Sequence, residues 1–233
     1  MPFFSQANSR HAQHYLIALQ KADQLCDAGG ASLIDGLHHF DLDRTNIIAG
    51  HAWATHRFPN DIDAVRLCAD YNDSGPHCLT IRLPPLEQIQ WLKTGLKAAE
   101  LLKDRESELA HLGNLGNAQA AVSNSQEAIQ SLQEAISLTK QLNDLDSEGL
   151  SLNNLGTVYA EQLGDAKTAL GLFQKALEIS HQTGNKHSEG NALDNIGNAY
   201  WAMGETKKAI EFSQQHLRIS AIEILRERVE IAE

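Results

Sequence analysis

Eleven histidines, three cysteines and thirty carboxylates could between them build a metal site or a nucleophile, so their spacing decides what chemistry is open to the chain. His11 and His14 fall at i, i+3, His38 and His39 are adjacent, and His51 and His56 stand five apart. A helical zinc pair wants i, i+4 with a third ligand nearby, and none of these pairs has it. Cys26, Cys68 and Cys78 form no C-x-x-C, which fits neither a disulfide framework nor a zinc site. They read as free thiols used as small hydrophobes in a reducing compartment. His77 and Cys78 are neighbours in sequence, but no nucleophile elbow or orienting acid accompanies them. The run GDAKTA (164–169) has one glycine and is no phosphate loop. The expectation is a non-enzyme with no catalytic residue, no cofactor and no metal.

The side chains that do recur are amides. Asn114, Asn154 and Asn195 occupy one register, and Asn117, Thr157 and Asn198 another three residues on. They sit in LGNLGNA (112–118), LNNLGTVY (152–159) and LDNIGNAY (193–200), whose glycines Gly116, Gly156 and Gly197 are 40 and 41 residues apart. A second motif follows each: EAIQSLQEAISL (127–138), TALGLFQKALEI (168–179) and KAIEFSQQHLRI (208–219). Gln162 supplies the one-residue difference. Within each unit apolar residues return every three or four positions, as in Leu152, Leu155 and Tyr159, the period of an amphipathic helix. Each unit is a helix–turn–helix with Gly164 or Gly204 at the turn. A lone hairpin cannot bury both apolar faces, so the units must stack.

The pattern L-x-N-L-G-x-x-Y, G, A-x-x-x-F-x-x-A resembles the tetratricopeptide repeat in a form of roughly 40 residues. Leu155, Gly156, Tyr159, Gly164, Ala169, Phe173 and Ala176 match its consensus. The third unit departs at Ser213 and His216 and the first at Gln119, which suggests looser packing in the outer units. The resemblance implies an all-α fold, a right-handed superhelix of stacked antiparallel hairpins. It also implies that the first helix of each hairpin lines a concave groove. Groove positions are then Asn114, Asn117, Asn153, Asn154, Thr157, Glu161, Asn191, Asp194, Asn195, Asn198 and Trp201. Asparagine carries donors and an acceptor that suit an extended peptide backbone. The register of Asn114, Asn154 and Asn195 has a second reading, in which the amides bond to the adjacent helix and set the pitch. These positions bring no Lys or Arg, so the expected ligand is a peptide or protein segment with basic or neutral polar residues. The function expected is a non-catalytic scaffold in intracellular signalling or complex assembly.

Residues 90–109 align with 130–149 at an offset of 40, sharing Gln90, Leu92, Leu102, Asp104, Ser107 and Glu108. They read as the second helix of a degenerate unit whose first helix lies near 61–71, with an irregular connection through DSGPHCLTIRLPP between them. Pro84 and Pro85 open the helix that follows. Upstream, 9–27 reads as a helix stopped by Gly29 and Gly30, and 32–40 and 44–57 as two more, broken at Asp41-Leu42-Asp43. The strings RHAQHYLIAL (10–19) and HHFDLDRTNIIAGHAWA (38–54) resemble the arm that joins the engine of signal-transduction NTPases to their repeats. That implies an alternative role as the sensor arm of such an NTPase, here without its nucleotide-binding domain. The division expected is an arm (1–60), a degenerate hairpin (61–108), three hairpins (109–220), and a capping helix or truncated repeat (221–233) with its polar edge at Glu223, Arg226, Glu227, Arg228 and Glu230.

Composition sets the frame for these elements. With 42% hydrophobic and 21% charged residues the chain can bury a core, and a net charge of −11 argues against nucleic acid as a partner. No apolar run reaches the roughly 18–20 residues of a membrane span, and MPFFSQANSRHAQ lacks a basic n-region. The expected location is cytoplasmic, with self-association open through the terminal repeats.

Overall fold

The computed structural model describes residues 2–230, with side chains placed from residue 6 to residue 221. Among the described residues all regular structure is helical. In order come α1 (Pro2–Asp27), α2 (Gly30–Arg57), α3 (Ile62–Asp73), α4 (Pro76–Arg82), α5 (Pro85–Leu102), α6 (Arg105–Ala121), α7 (Ser125–Leu142) and α8 (Leu145–Thr157). A π-helical turn, Val158–Gln162, extends α8; α9 (Ala166–Thr183), α10 (Lys186–Ala202) and α11 (Thr206–Glu230) complete the chain. The helices form two compact units, residues 1–118 and 119–233.

The turns repeat as faithfully as the helices. Lys103, Asn143 and Gly184, spaced 40 and 41, each adopt the left-handed conformation that ends a helix. One residue later Asp104, Asp144 and Asn185 each accept the backbone N–H of a serine three positions on, Ser107, Ser147 and Ser188, at 3.0–3.1 Å. Such a cap satisfies one of the orphan donors of a helix start and is worth about 1 kcal/mol. The α5–α6 turn thus carries the same chemistry as the two turns downstream.

Unit 1 is built on one contiguous core. Leu19 and Ala22 of α1, Phe40, Ile47 and Ala54 of α2, and Val65, Leu67, Cys68 and Tyr71 of α3 meet Leu79 of α4 and Trp91 of α5. Tyr71 is fully buried and its hydroxyl donates to the Ala12 carbonyl at 2.8 Å. The two helices expected over 32–40 and 44–57 are one. Asp41 and Asp43 cost only tenths of a kcal/mol in a helix interior, whereas Phe40 and Ile47 on either side are fully buried. Asp41 also gains a two-pronged ion pair with Arg82 Nε, at 2.9 and 3.1 Å. The connection after α3 is not irregular throughout: Pro76 opens α4, whose Cys78 and Leu79 are buried. Pro85 stands at the first position of α5, where its missing N–H costs nothing.

Unit 2 is serial. Ala128 and Leu132 of α7 pack with Leu155 and Val158, Leu152 with Ala176 and Ala192, and Ala169 and Phe173 of α9 with Ile196 and Ala199 of α10. Each of these clusters joins neighbouring helices. Gly156 is there for close approach, since a Cβ would fall 2.5 Å from the Phe173 ring. The consensus departures are filled in two different ways. Gln119, expected to loosen its unit, is buried; its carbonyl oxygen accepts from Ser131 at 2.8 Å and its amide donates to Glu127 at 3.2 Å. His216 places Nδ1 2.9 Å from the Gly190 carbonyl, while with Ser213 in place of the Phe a Cβ on Gly197 would meet nothing nearer than the Ser213 hydroxyl at 3.1 Å. Residues 221–230 continue α11 as backbone; the polar edge expected at Glu223–Glu230 lies outside the described side chains.

Candidate functional site

The amphipathic pattern buries one stripe of α8 and α10 and turns another outward. On α10, Ala192, Leu193, Ile196 and Ala199 are buried, while Asn191, Asp194, Asn198 and Trp201 are exposed. These four recur every three or four residues and therefore share a face. On α8 and its π-turn the corresponding side chains are Asn153 and Thr157, half-buried, and Glu161, exposed. Trp201 is 67% exposed and serves no core, which is unusual for the largest apolar side chain.

Hydrogen bonds divide the recurrent amides into two kinds. Asn195 Nδ2 donates to Asn153 Oδ1 at 3.0 Å, tying α10 to α8 across a partly buried contact. Asn154, half-buried, shares the register of Asn195. In the other register, Thr157 turns its hydroxyl back to the Asn153 carbonyl at 3.2 Å, and Asn198 donates to Asp194 at 3.2 Å on the open face. Asn114 and Asn117 belong to unit 1. Asn114 lines a narrow cleft with Thr80, Gln88 and Leu92, and Asn117 is exposed.

Charge on the face of unit 2 comes from carboxylates. Glu161 and Asp194 are exposed there, whereas Lys208 pairs with Glu205 at 3.6 Å and lies 5.0 Å over the Tyr200 ring. The π-turn has its own anchor. Gln162, the inserted residue, donates to the Ala120 carbonyl at 2.7 Å and accepts from the Ser125 hydroxyl at 2.5 Å. A π-turn absorbs a single extra residue within a helix, so the 41-residue spacing is taken up at the end of α8. The insertion was legible in sequence; the tether it makes was not, because nothing in the spacing says where an amide points.

Unit 1 holds the titratable side chains that sequence left unassigned. His51 is buried, stacked on Trp91 with ring centroids 3.6 Å apart and edge-on to Tyr71. Its Nε2 has no hydrogen-bond partner, and burial pushes its pKa down to about 3. His111 is fully buried with Nδ1 3.6 Å from Asp73; burial lowers its pKa against the pull of Asp73 and Asp104. His11 and His14 flank the Tyr15 ring, and His38 meets His39 edge-on. Among the described residues no group of three or more His, Cys, Asp or Glu could hold a metal ion, and no helix is long and apolar enough to cross a membrane.

Comparison with known proteins gives the outward face a context. Models of the tetratricopeptide repeat match residues 111–146 and 147–233. No curated protein sequence matches the chain. Among solved structures it resembles BtubC from P. vanneervenii, at 17% identity over 93% of this chain and 92% of that one, with a TM-score of 0.63. It also resembles tetratricopeptide-like repeats of a kinesin light chain from Podosopora anserina, at 16% identity over 94% and 95%, with a TM-score of 0.60. A signal-transduction ATPase with numerous domains from Pyrococcus horikoshii, carrying a tetratricopeptide repeat sensor, matches at 16% identity and a TM-score of 0.61. That match covers 84% of this chain and 31% of the ATPase.

Proposed function

Because the chain belongs to the tetratricopeptide repeat family, and its repeats form a protein-interaction scaffold, we propose that the outward face of α8 and α10 captures an extended peptide segment of a partner protein. The observation that carries this reading is Trp201. It projects from a face whose other members, Asn191, Asp194 and Asn198, are polar and exposed, and it has no packing role to explain it. An exposed Trp flanked by amides is a ready anchor, with hydrogen-bond partners for a backbone around it. Asn153 and Asn195 bond to one another and hold the two helices in register. Within unit 2, Asn198, Thr157 and Glu161 are the side chains left to meet the ligand, whereas Asn114 and Asn117 belong to unit 1 and are not needed for this contact. The carboxylates of Glu161 and Asp194 select basic or neutral segments over acidic ones.

Residues 1–60 act in this reading as an arm and 61–108 as a degenerate hairpin continuing the repeat. The role belongs to signalling or complex assembly in the cytoplasm. The alternative, a sensor arm working with a separate nucleotide-binding subunit, draws support from the resemblance of residues 10–54 to such an arm. The test is fluorescence-anisotropy titration of arrayed octapeptides of basic, neutral and acidic composition against wild type and an Asn198→Ala/Trp201→Ala variant. Retention of basic or neutral peptides by the wild type, with at least tenfold weaker binding by the folded variant, supports the groove. Equal binding by both proteins moves the site elsewhere. Binding of acidic peptides alone refutes the charge argument.

A further inference from the structure

Cys26 and Cys78 are 52 residues apart in sequence, yet the fold brings their sulfurs to 3.3 Å. Cys26 lies in the last turn of α1 and Cys78 in the first turn of α4. Both positions are held from several sides. The Leu33 carbonyl stands 3.8 Å from Cys26 Sγ, and a Cβ on Gly36 would lie 2.7 Å from that sulfur, so α2 packs closely against the thiol. One turn before Cys26, Asp23 accepts the backbone N–H of Cys78 at 2.7 Å and meets His77 Nδ1 at 2.9 Å. The same carboxylate therefore ties the helix of one cysteine to the backbone of the other. Cys68, the third thiol, is fully buried in the same core.

We infer that Cys26 and Cys78 are a built-in thiol pair that a small hydroperoxide converts to a disulfide, stapling α1 to α4. A disulfide has its sulfurs about 2.05 Å apart, so the pair must close by only about 1.3 Å from its present contact. An open cavity of about 570 Å³ between α1, α3 and α4 is lined by Asp27 and His77, the immediate sequence neighbours of the two cysteines, and admits a small oxidant to their surroundings. Cys26 keeps 5% exposure while Cys78 has none, so Cys26 reacts first. Its thiolate attacks one peroxide oxygen; the O–O bond breaks, the other oxygen leaves as hydroxide, and Cys26 becomes a sulfenic acid. The Cys78 sulfur then attacks the Cys26 sulfur; the S–S bond forms, the S–O bond breaks, and the Cys78 proton departs with the hydroxyl as water. Two thiols and one hydrogen peroxide give one disulfide and two waters. Burial, the Cys26 sulfur and the Asp23 carboxylate hold the Cys78 thiol far above its ordinary range, so Cys78 is the resolving thiol rather than the one that attacks the peroxide.

The experiment treats the full chain with hydrogen peroxide, alkylates free thiols in denaturant, and maps peptides without reduction. The expected result is a Cys26–Cys78 cross-linked peptide, loss of two hydrogens, one alkylatable thiol left at Cys68, and reversal by dithiothreitol. The melting temperature of the oxidised chain should rise by about 5–15 °C, because the link closes a long loop in the unfolded state. In Cys78→Ser, dimedone should trap a sulfenic acid on Cys26, and in Cys26→Ser it should label nothing. Three alkylatable thiols after oxidation, a linkage through Cys68 or between two chains, or a persistent dimedone adduct in the wild type would each overturn the proposal. The wild-type peptide map needs no variant to fold.

Discussion

Unit 1 and unit 2 bury similar side chains by different plans. Unit 1 converges Phe40, Ile47, Tyr71 and Trp91 from three helices on one core, with buried His51 and Asn72 beside them. Unit 2 divides its apolar groups among small clusters, each joining neighbouring helices. A convergent core ties every element to every other, whereas a serial one limits the reach of any local defect. The largest effect therefore belongs to Tyr71→Ala. It deletes a fully buried ring together with the hydroxyl that donates to the Ala12 carbonyl, at a cost of about 4 kcal/mol. Hydrogen exchange should accelerate throughout α1, α2, α3 and α5. Leu132→Ala, at equal burial in unit 2, costs about 3 kcal/mol but should speed exchange mainly in α7 and α8. Equal spread from both substitutions would break the contrast.

Acid should also distinguish the units. His51 has a folded pKa of about 3, below its unfolded value near 6.5. As pH falls below 6.5 the unfolded chain binds a proton that the folded one refuses. Stability is thus intact above pH 6.5 and is lost progressively down to about pH 3. At pH 4.5 the loss from this group is about 3 kcal/mol, and His111, lowered in the same direction, adds to it. Urea midpoints followed through the buried Trp91, in a Trp53→Phe/Trp201→Phe background, should fall with acid. His51→Phe, which retains an aromatic ring to stack on Trp91, should flatten much of that fall. An unchanged pH profile in this variant would remove His51 from the account.

Within unit 2 the second and third hairpins sharpen the comparison further. A methyl group on Gly156 meets the Phe173 ring at 2.5 Å, and that ring is locked in the core. One on Gly197 meets the Ser213 hydroxyl at 3.1 Å and the Ala209 carbonyl at 3.4 Å. Gly156→Ala should lose about 2 kcal/mol through overpacking. Gly197→Ala should stay within about 1 kcal/mol of wild type, because the gain in helix propensity offsets a mild contact. Thermal melts of the two variants check the ordering, and equal costs would mean that the Phe-to-Ser departure does not open the third hairpin.

Unit 2 was legible in the sequence because its contacts are local and periodic. Gly156, Phe173 and the 40-residue offset are enough to place each helix against the next. The fusion of α2 was not legible, since it depends on the burial of Phe40 and Ile47 against other helices and on an ion pair from Asp41 to Arg82, partners distant in sequence from the Asp-Leu-Asp that seemed to break it. The same holds for Cys26 and Cys78, whose pairing depends on how α1 meets α4 and leaves no trace in spacing. Along α8 and α10, residue type identified which amides recur. It did not distinguish Asn195, spent on Asn153, from Asn198 on the open face, because that depends on the stagger of α8 against α10.

The smallest effect concerns the one residue that breaks the repeat. If Gln162 were only a passive insertion, truncating it would cost nothing, since it is partly exposed and outside every apolar cluster. Its amide instead donates to the Ala120 carbonyl and accepts from Ser125, spanning from the π-turn after α8 to the preceding turn. Gln162→Ala leaves the π-turn in place and removes both hydrogen bonds, at a cost of about 1 kcal/mol. Gln162→Glu keeps the acceptor for Ser125 but sets a carboxylate against the Ala120 carbonyl, and should lose at least as much. Ser125→Ala, removing one of the two bonds, should lose about half as much as Gln162→Ala. The double variant Gln162→Ala/Ser125→Ala should then cost no more than Gln162→Ala alone, because the hydroxyl has no bond left to lose. Additive costs in that cycle would show that the two side chains do not act on one another, and the π-turn would then be an accommodation of length rather than a tether between hairpins.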